Sequence, residues 1–300
     1  MRIFLTGATG FIGSRIVPEL LQAGHQVLGM TRSDAGARML AAAGAEVHRG
    51  DLEDPGSVRT GAAQADAVIH TAFDHDFSNF VANCEKDARV IKAMGEALAG
   101  SQRPLLITSG TGIGAGAPGE PARESVFNPA HPNPRIASEL AGAELLEAGI
   151  AVSVVRLPQV HDTVKQGLIT PMVDVLRAKG VSAYVGEGTN RWPAAHVDDV
   201  ARLYRLAIEQ CTPGSRYNAV AEEGVTARAI AEVLGKGLGV PVKSIASEEV
   251  NGFFGWLGMF VALDMVSSSE WTRRALGWEP TGPGLLDDLA NMDYSVVTSP

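Results

Sequence analysis

Thr6-Gly7-Ala8-Thr9-Gly10-Phe11-Ile12-Gly13 is the stretch that decides how this chain is read. It follows the apolar run Ile3-Phe4-Leu5 and opens an amphipathic segment that extends to Gly24 and carries Pro18. Glycines three residues apart between a strand and a helix answer three backbone demands. A tight turn needs unusual dihedrals, a pyrophosphate needs close approach of the main chain, and the helix must sit tightly on the strand. The helix start then offers unpaired N–H groups and the positive end of its dipole to an anion. The context on both sides gives the glycine pattern its weight.

Working outward, short apolar runs alternate with amphipathic stretches. Strands are expected at 26–32, 45–51, 66–72, 104–110 and 151–158. Helices are expected between them, including a long one from Phe77 to Leu98 and another from Ile136 to about Ala148. This alternation predicts an α/β fold: a Rossmann-type, doubly wound parallel sheet that binds ligands at the carboxyl ends of its strands. Beyond residue 162 the rhythm loosens, although 167–180, 197–210 and 226–239 read as helices. Residues 1–162, with 192–220 returning, are expected to form the dinucleotide-binding part. Residues 163–191 and 221–300 are expected to form a smaller substrate-binding region, and the stretch after Asp293 a frayed tail.

Composition narrows the class. The 300 residues are 45% hydrophobic and 20% charged, enough to bury a large core. A net charge of -9 argues against nucleic acid or an anionic membrane as partner. No run reaches the roughly 20 apolar residues that span a bilayer. Cys84 and Cys211 form no metal-ligand spacing, and a reduced, cytoplasmic setting is expected.

The glycine turn as it stands resembles that of the extended short-chain dehydrogenase/reductases, and further segments carry the resemblance along the chain. Arg49–Asp54 is similar to the family's adenine-contacting segment, which implies that role for Asp51 and Leu52. Val68–Ala72 resembles the strand end beside the cofactor, implicating Thr71 and Ala72. Leu105–Gly110 resembles the strand carrying the catalytic Ser/Thr, with Ser109 at the matching position. Val154–His161 resembles the segment passing the nicotinamide at Pro158, and His196–Tyr204 and Leu276–Pro280 match later landmarks. The resemblance implies a nicotinamide dinucleotide held by Gly7, Thr9, Gly10, Phe11, Ile12 and Gly13. After the second strand, Arg32 stands where a ribose 2′-phosphate needs a cation, with Ser33 as a neutral partner. This favours NADP(H), and Asp34 keeps NAD(H) open.

Such enzymes carry Tyr-x-x-x-Lys on the helix after the Ser/Thr strand. Here Arg135 and Glu139 align with those two positions, and none of Tyr184, Tyr204, Tyr217 or Tyr294 has lysine four residues on. The spacing of Arg135 and Glu139 suits an i,i+4 ion pair. Alternatively, Arg135 polarises a carbonyl oxygen and Glu139 contacts the nicotinamide ribose. Arginine cannot supply the proton, because its pKa exceeds about 12. His75, flanked by Asp74 and Asp76, and His161, followed by Asp162, are the candidate proton carriers. Ser109 and Thr111 can orient the oxygen.

On the substrate side, Phe253, Phe254, Trp256, Met259 and Phe260 are interleaved with glycines and suit an apolar pocket, a buried helix or a dimer contact. Arg191 and Trp192 stand where sugar-nucleotide members hold a diphosphate. The sequence therefore predicts an NADP(H)-dependent reductase of a small, fairly apolar aldehyde or ketone, with His161, Trp192, Phe254 and Trp256 at the substrate. Its rivals are a silent dinucleotide-binding sensor and a nucleotide-sugar epimerase or dehydratase. No metal is expected. The resemblance also makes a homodimer the expected assembly.

Overall fold

The computed structural model describes residues 1–117 and 119–295. Its main sheet is parallel throughout and contains β1 (Arg2–Thr6), β2 (Gln26–Thr31), β3 (Glu46–Arg49), β4 (Ala67–His70), β5 (Leu105–Gly110) and β6 (Val152–Leu157). A seventh strand, Arg216–Asn218, joins beside β6, so the strands run 3-2-1-4-5-6 before the late arrival. The order reverses between β1 and β4, where a doubly wound sheet opens its ligand crevice. Residues 2–6 bury almost completely and pair on both edges, as an apolar run of that length requires.

Helices α1 (Gly13–Gln22), α2 (Asp34–Ala42), α3 (Pro55–Ala63), α4 (Phe80–Leu98) and α5 (Ile136–Glu147) connect these strands. Pro18 lies on the exposed face of α1 and does not end it. Ser33 caps α2 and Asp54 caps α3, each side chain accepting a backbone N–H three or two residues on. The long helix expected from Phe77 begins with a 3-10 turn, Phe77–Asn79, because the Asp76 side chain accepts from the Ser78 N–H and tightens the chain there.

The later chain gives β7 (Gln159–His161), α6 (Ile169–Lys179), β8 (Ser182–Val185), β9 (Arg191–His196), α7 (Val197–Gln210) and β10, the late strand Arg216–Asn218. There follow β11 (Glu222–Thr226), α8 (Ala227–Leu238), β12 (Val242–Ile245), α9 (Val250–Phe254), α10 (Gly258–Val261), α11 (Glu270–Leu276) and α12 (Leu285–Asn291). Strands β11, β9 and β7 form a small mixed sheet, and β8 pairs with β12. Two core clusters cover the faces of the main sheet, and a third fills the layer from Ile169 to Met292. Beyond Asp293, the Tyr294 hydroxyl donates to the Leu289 carbonyl at 2.9 Å, so this residue is pinned. Residues 296–300 of the expected tail lie outside the described residues. No described helix is long and apolar enough to cross a membrane.

The 276–280 landmark has a plain structural task. Trp278 is fully buried, and its indole N–H donates to the Asp199 carbonyl of α7 at 2.9 Å. The Asp199 carboxylate accepts from the Thr281 and Gly282 N–H groups, so the segment after α11 is docked on α7. Trp278→Ala should cost about 3–5 kcal/mol of stability, read as a lowered urea midpoint.

Candidate active site

The glycine turn is built as tightly as the sequence suggests. Gly7 has φ +69°, and a Cβ there would stand 2.7 Å from the Ala72 nitrogen and from the Thr71 hydroxyl oxygen. At Gly13 an added Cβ would come within 2.0 Å of the Gly7 carbonyl oxygen. The turn closes through a Gly10 N–H to Gly7 carbonyl bond of 2.9 Å. Phe11 and Ile12 pack on the sheet core, which leaves the main chain of the turn for a ligand. Thr71 donates to the Thr6 carbonyl at 2.8 Å and locks β4 against the turn. A bare main-chain cradle at the start of a helix fits a pyrophosphate.

At the end of β2, Arg32 is three-quarters exposed and 3.9 Å from Asp51. The carboxylate of Asp34 is held by Arg49, which also donates to the Arg32 carbonyl at 3.2 Å. Ser33 accepts from the Gly36 N–H at 3.0 Å, and Thr9 packs close by at Gly36. Leu52 lies against the core beneath this rim. Pro158 links β6 to β7.

Arg135 is fixed where β5 ends, against α4. It is the residue before α5, and it does not pair with Glu139. Its Nη1 donates to Asp87 Oδ2 of α4 at 2.6 Å and to the Ser138 hydroxyl, and Nη2 donates to the Thr108 carbonyl at 2.9 Å. Its guanidinium carbon lies 4.2 Å from the centre of the Phe73 ring. Thr108 neighbours Ser109, whose buried hydroxyl has no hydrogen-bond partner among the described residues, and Thr111 opens the turn just beyond.

Glu139 faces elsewhere and is fully buried. Arg156 of β6, also fully buried, donates to both of its carboxylate oxygens at 2.7 and 2.8 Å, and Arg216 adds a third bond at 2.9 Å. A buried arginine without an anion would cost several kcal/mol, so the i,i+4 partner loses to the long-range one. Arg156 also donates to the Arg123 and Val126 carbonyls, fastening the loop that delivers Arg135. Fully buried and paired with two arginines, the Glu139 carboxylate is out of a ribose's reach, which corrects that expectation.

His75 sits on the loop after β4, and its ring meets Phe73 at 5.4 Å. Crowding from the loop, with the charges of Arg135 and Lys165, holds its imidazole below the usual histidine value. Asp74 ties the loop to Lys86 of α4 at 2.9 Å. His161 is not available in the same way. It is fully buried, bound through Nδ1 to Asp288 Oδ2 at 2.6 Å, and packed on His196. Trp192 and Phe254 are also buried. They line a small cavity with Tyr184 and Ile230 in the C-terminal layer. Trp256 differs: it is 38% exposed and stacks on Phe77 at 4.4 Å and 8°. Phe260 flanks both rings, so the segment around α9 and α10 meets the β4–α4 loop through aromatic faces.

Sequence reasoning missed Asp87, His70, Ser138 and Arg156. Asp87 falls among Asn83, Cys84, Val90, Ile91 and Met94 on the buried face of α4, and Arg156 interrupts an apolar strand. An ionisable residue at a buried-face position is the signal that could have found both. Burial raises the Asp87 carboxyl, but Arg135, His70 and Ser138 outweigh it and hold it well below the ordinary carboxylate range. Burial also opposes the Glu139 charge, and Arg156 and Arg216 keep that carboxyl low. A depressed folded value stabilises fully above the unfolded pKa of about 4 and is lost as pH falls through the folded value. The parent should therefore lose stability steeply below about pH 4. Asp87→Asn with Glu139→Gln should flatten that limb in urea titrations between pH 3 and 7, at the cost of lower stability at pH 7.

The profile of the NAD dependent epimerase/dehydratase family matches residues 3–220. An uncharacterized protein of Schizosaccharomyces pombe is 46% identical over 295 residues, 98% of this chain and 100% of that protein. The 2-alkyl-3-oxoalkanoate reductase of Stenotrophomonas maltophilia is 29% identical over 229 residues, 72% of this chain and 67% of that enzyme. Among solved structures, the Thermus thermophilus UDP-glucose 4-epimerase complex with NAD superposes with a TM-score of 0.74 at 22% identity, covering 99% of this chain and 100% of the epimerase.

Proposed function

Because this chain belongs to the NAD dependent epimerase/dehydratase family, within the extended short-chain dehydrogenases, we propose that it reduces a small, fairly apolar aldehyde or ketone with NADP(H). The observation that carries this reading is the place of Arg135, a cation fixed at the strand ends by the Thr108 carbonyl, next in the chain to Ser109, whose buried hydroxyl has no partner among the described residues. Gly7, Gly10 and Gly13 cradle the pyrophosphate, and Thr71 and Ala72 close the turn from β4. Arg32 and Ser33 receive the 2′-phosphate, a role that Asp34 does not contest while Arg49 holds it. The bound nicotinamide supplies the hydride.

Ser109 and Thr111 orient the carbonyl oxygen. Arg135 stabilises the negative charge that grows on it, a task for which a prefixed cation in a dry site is well suited. Arg135 keeps its own protons, and His75, whose imidazole lies below its usual value, acts as an acceptor in the oxidative direction. In the reductive direction the proton comes from water at the cleft mouth. The apolar surface of Phe73, Phe77 and Trp256 suits the rest of the substrate.

A nucleotide-sugar substrate is less well supported. Arg191, which would face a diphosphate, gives two side-chain bonds and its backbone N–H to Asp264. A silent sensor would not need Arg135 fixed beside Ser109.

Single-turnover oxidation of NADPH, followed at the nicotinamide absorbance against aryl and alkyl aldehydes, tests the proposal. Arg135→Ala should lower the rate about 10²–10³-fold, the range for loss of an oxyanion donor. Ser109→Ala should lower it less, and Arg32→Ala should weaken NADPH binding while sparing NADH. Tight NADPH binding with no oxidation across the panel would favour the sensor.

A further inference from the structure

Asp87 carries the carboxylate that Arg135 binds, and three side chains meet on it. It is 2% exposed in the middle of α4, where an ionised side chain is tolerated only if both oxygens are satisfied. Oδ1 accepts from His70 Nε2 at 3.0 Å, and Oδ2 accepts from Ser138 at 2.5 Å and from Arg135 at 2.6 Å.

Seen from Arg135, a guanidinium has five N–H donors. Three are committed, to Asp87, to Ser138 and to the Thr108 carbonyl, and Phe73 covers one face of the plane. The Nε–H and one Nη2–H are left for a ligand, in a plane that cannot rotate while Asp87 holds Nη1.

Behind Asp87 the chain of bonds continues. On its other side the His70 ring bonds through Nδ1 to the Thr6 hydroxyl at 2.6 Å. Thr6 Oγ1 in turn accepts from the Ala72 N–H at 3.3 Å. That Ala72 nitrogen is the atom on which a Gly7 Cβ would collide. A contiguous buried chain therefore runs from the glycine turn through Thr6, His70 and Asp87 to Arg135.

We propose that Asp87 is the positioning residue of this site, fixing the guanidinium of Arg135 at the strand ends and, through His70 and Thr6, registering it against the glycine turn. The proposal rests on Arg135 facing the substrate oxygen. It assigns Asp87 an effect on turnover without contact to substrate or cofactor. Residues that orient metal ligands at one remove commonly contribute about 10- to 100-fold, and an effect of that order is expected for a residue that orients Arg135.

The test compares the parent with Asp87→Asn, which keeps the shape and removes the charge. The first readout is the rate at which phenylglyoxal labels Arg135, followed by peptide mass spectrometry, and it needs no turnover. The second is the split between kcat and KM in NADPH-dependent reduction. The expected result is labelling faster by about tenfold and kcat lower by about 10- to 100-fold, with KM and the NADPH Kd within about threefold. Unchanged labelling in a folded Asp87→Asn overturns the proposal whatever the activity. A parent that reduces nothing sinks the functional reading, while the labelling still decides what holds Arg135. If Asp87→Asn does not fold, Asp87→Glu decides: it keeps an anion for Arg135 and His70 but displaces it by one methylene. Faster labelling supports the proposal, and parent-like labelling overturns it.

Discussion

A guanidinium and a carboxylate, Arg135 and Asp87, meet at 2.6 Å where β4 and β5 end, and much of the surrounding architecture serves that meeting. Neither charge is tolerable there alone, since a buried ion left without its partner costs about 3–5 kcal/mol. The pair obliges α4 to approach α5 at this depth. It fixes the β5–α5 loop, and it requires His70 to present its Nε2–H to the remaining carboxylate oxygen. The second buried group, Glu139 with Arg156 and Arg216, does the same for the far side of the loop. Two separate charge clusters thus hold the start of α5 from opposite sides.

The parts legible in the sequence were those governed by local rules. The glycine turn, the apolar strands and the helix from Ile136 follow from dihedral freedom and periodicity, and each appears at nearly its expected place. The family segments from the glycine turn to Ser109 fall, in chain order, at the carboxyl ends of β1, β3, β4 and β5. The charge partners were illegible because they depend on tertiary approach. Arg135 and Asp87 are 48 residues apart, and Glu139 and Arg216 are 77 apart, so no spacing rule joins them. The i,i+4 rule pointed to Arg135 and Glu139, a pairing worth only tenths of a kcal/mol on an exposed helix. Once Arg156 is buried, its demand for an anion is much larger and captures Glu139.

The aromatic residues of the C-terminal segment divided in a way that periodicity could not foresee. Phe254 turned into the core, and Trp256 turned out toward Phe77, because the chain at Gly255 takes φ +57°, a conformation open to glycine, and so changes the direction of successive side chains. The result is a run of aromatic contacts that starts at Phe73, packed on Arg135, and passes through Phe80 and Phe77 to Trp256.

The central claim is hydride transfer at this cleft, and isotope transfer tests it most directly. NADPH deuterated at the transferable position would be incubated with the protein and a panel of aryl and alkyl aldehydes, and the recovered alcohols examined by mass spectrometry. The account predicts one deuterium on the former carbonyl carbon in the parent and none in Arg135→Ala on the same timescale. Bound NADPH that keeps its deuterium against every carbonyl compound in the panel would contradict it.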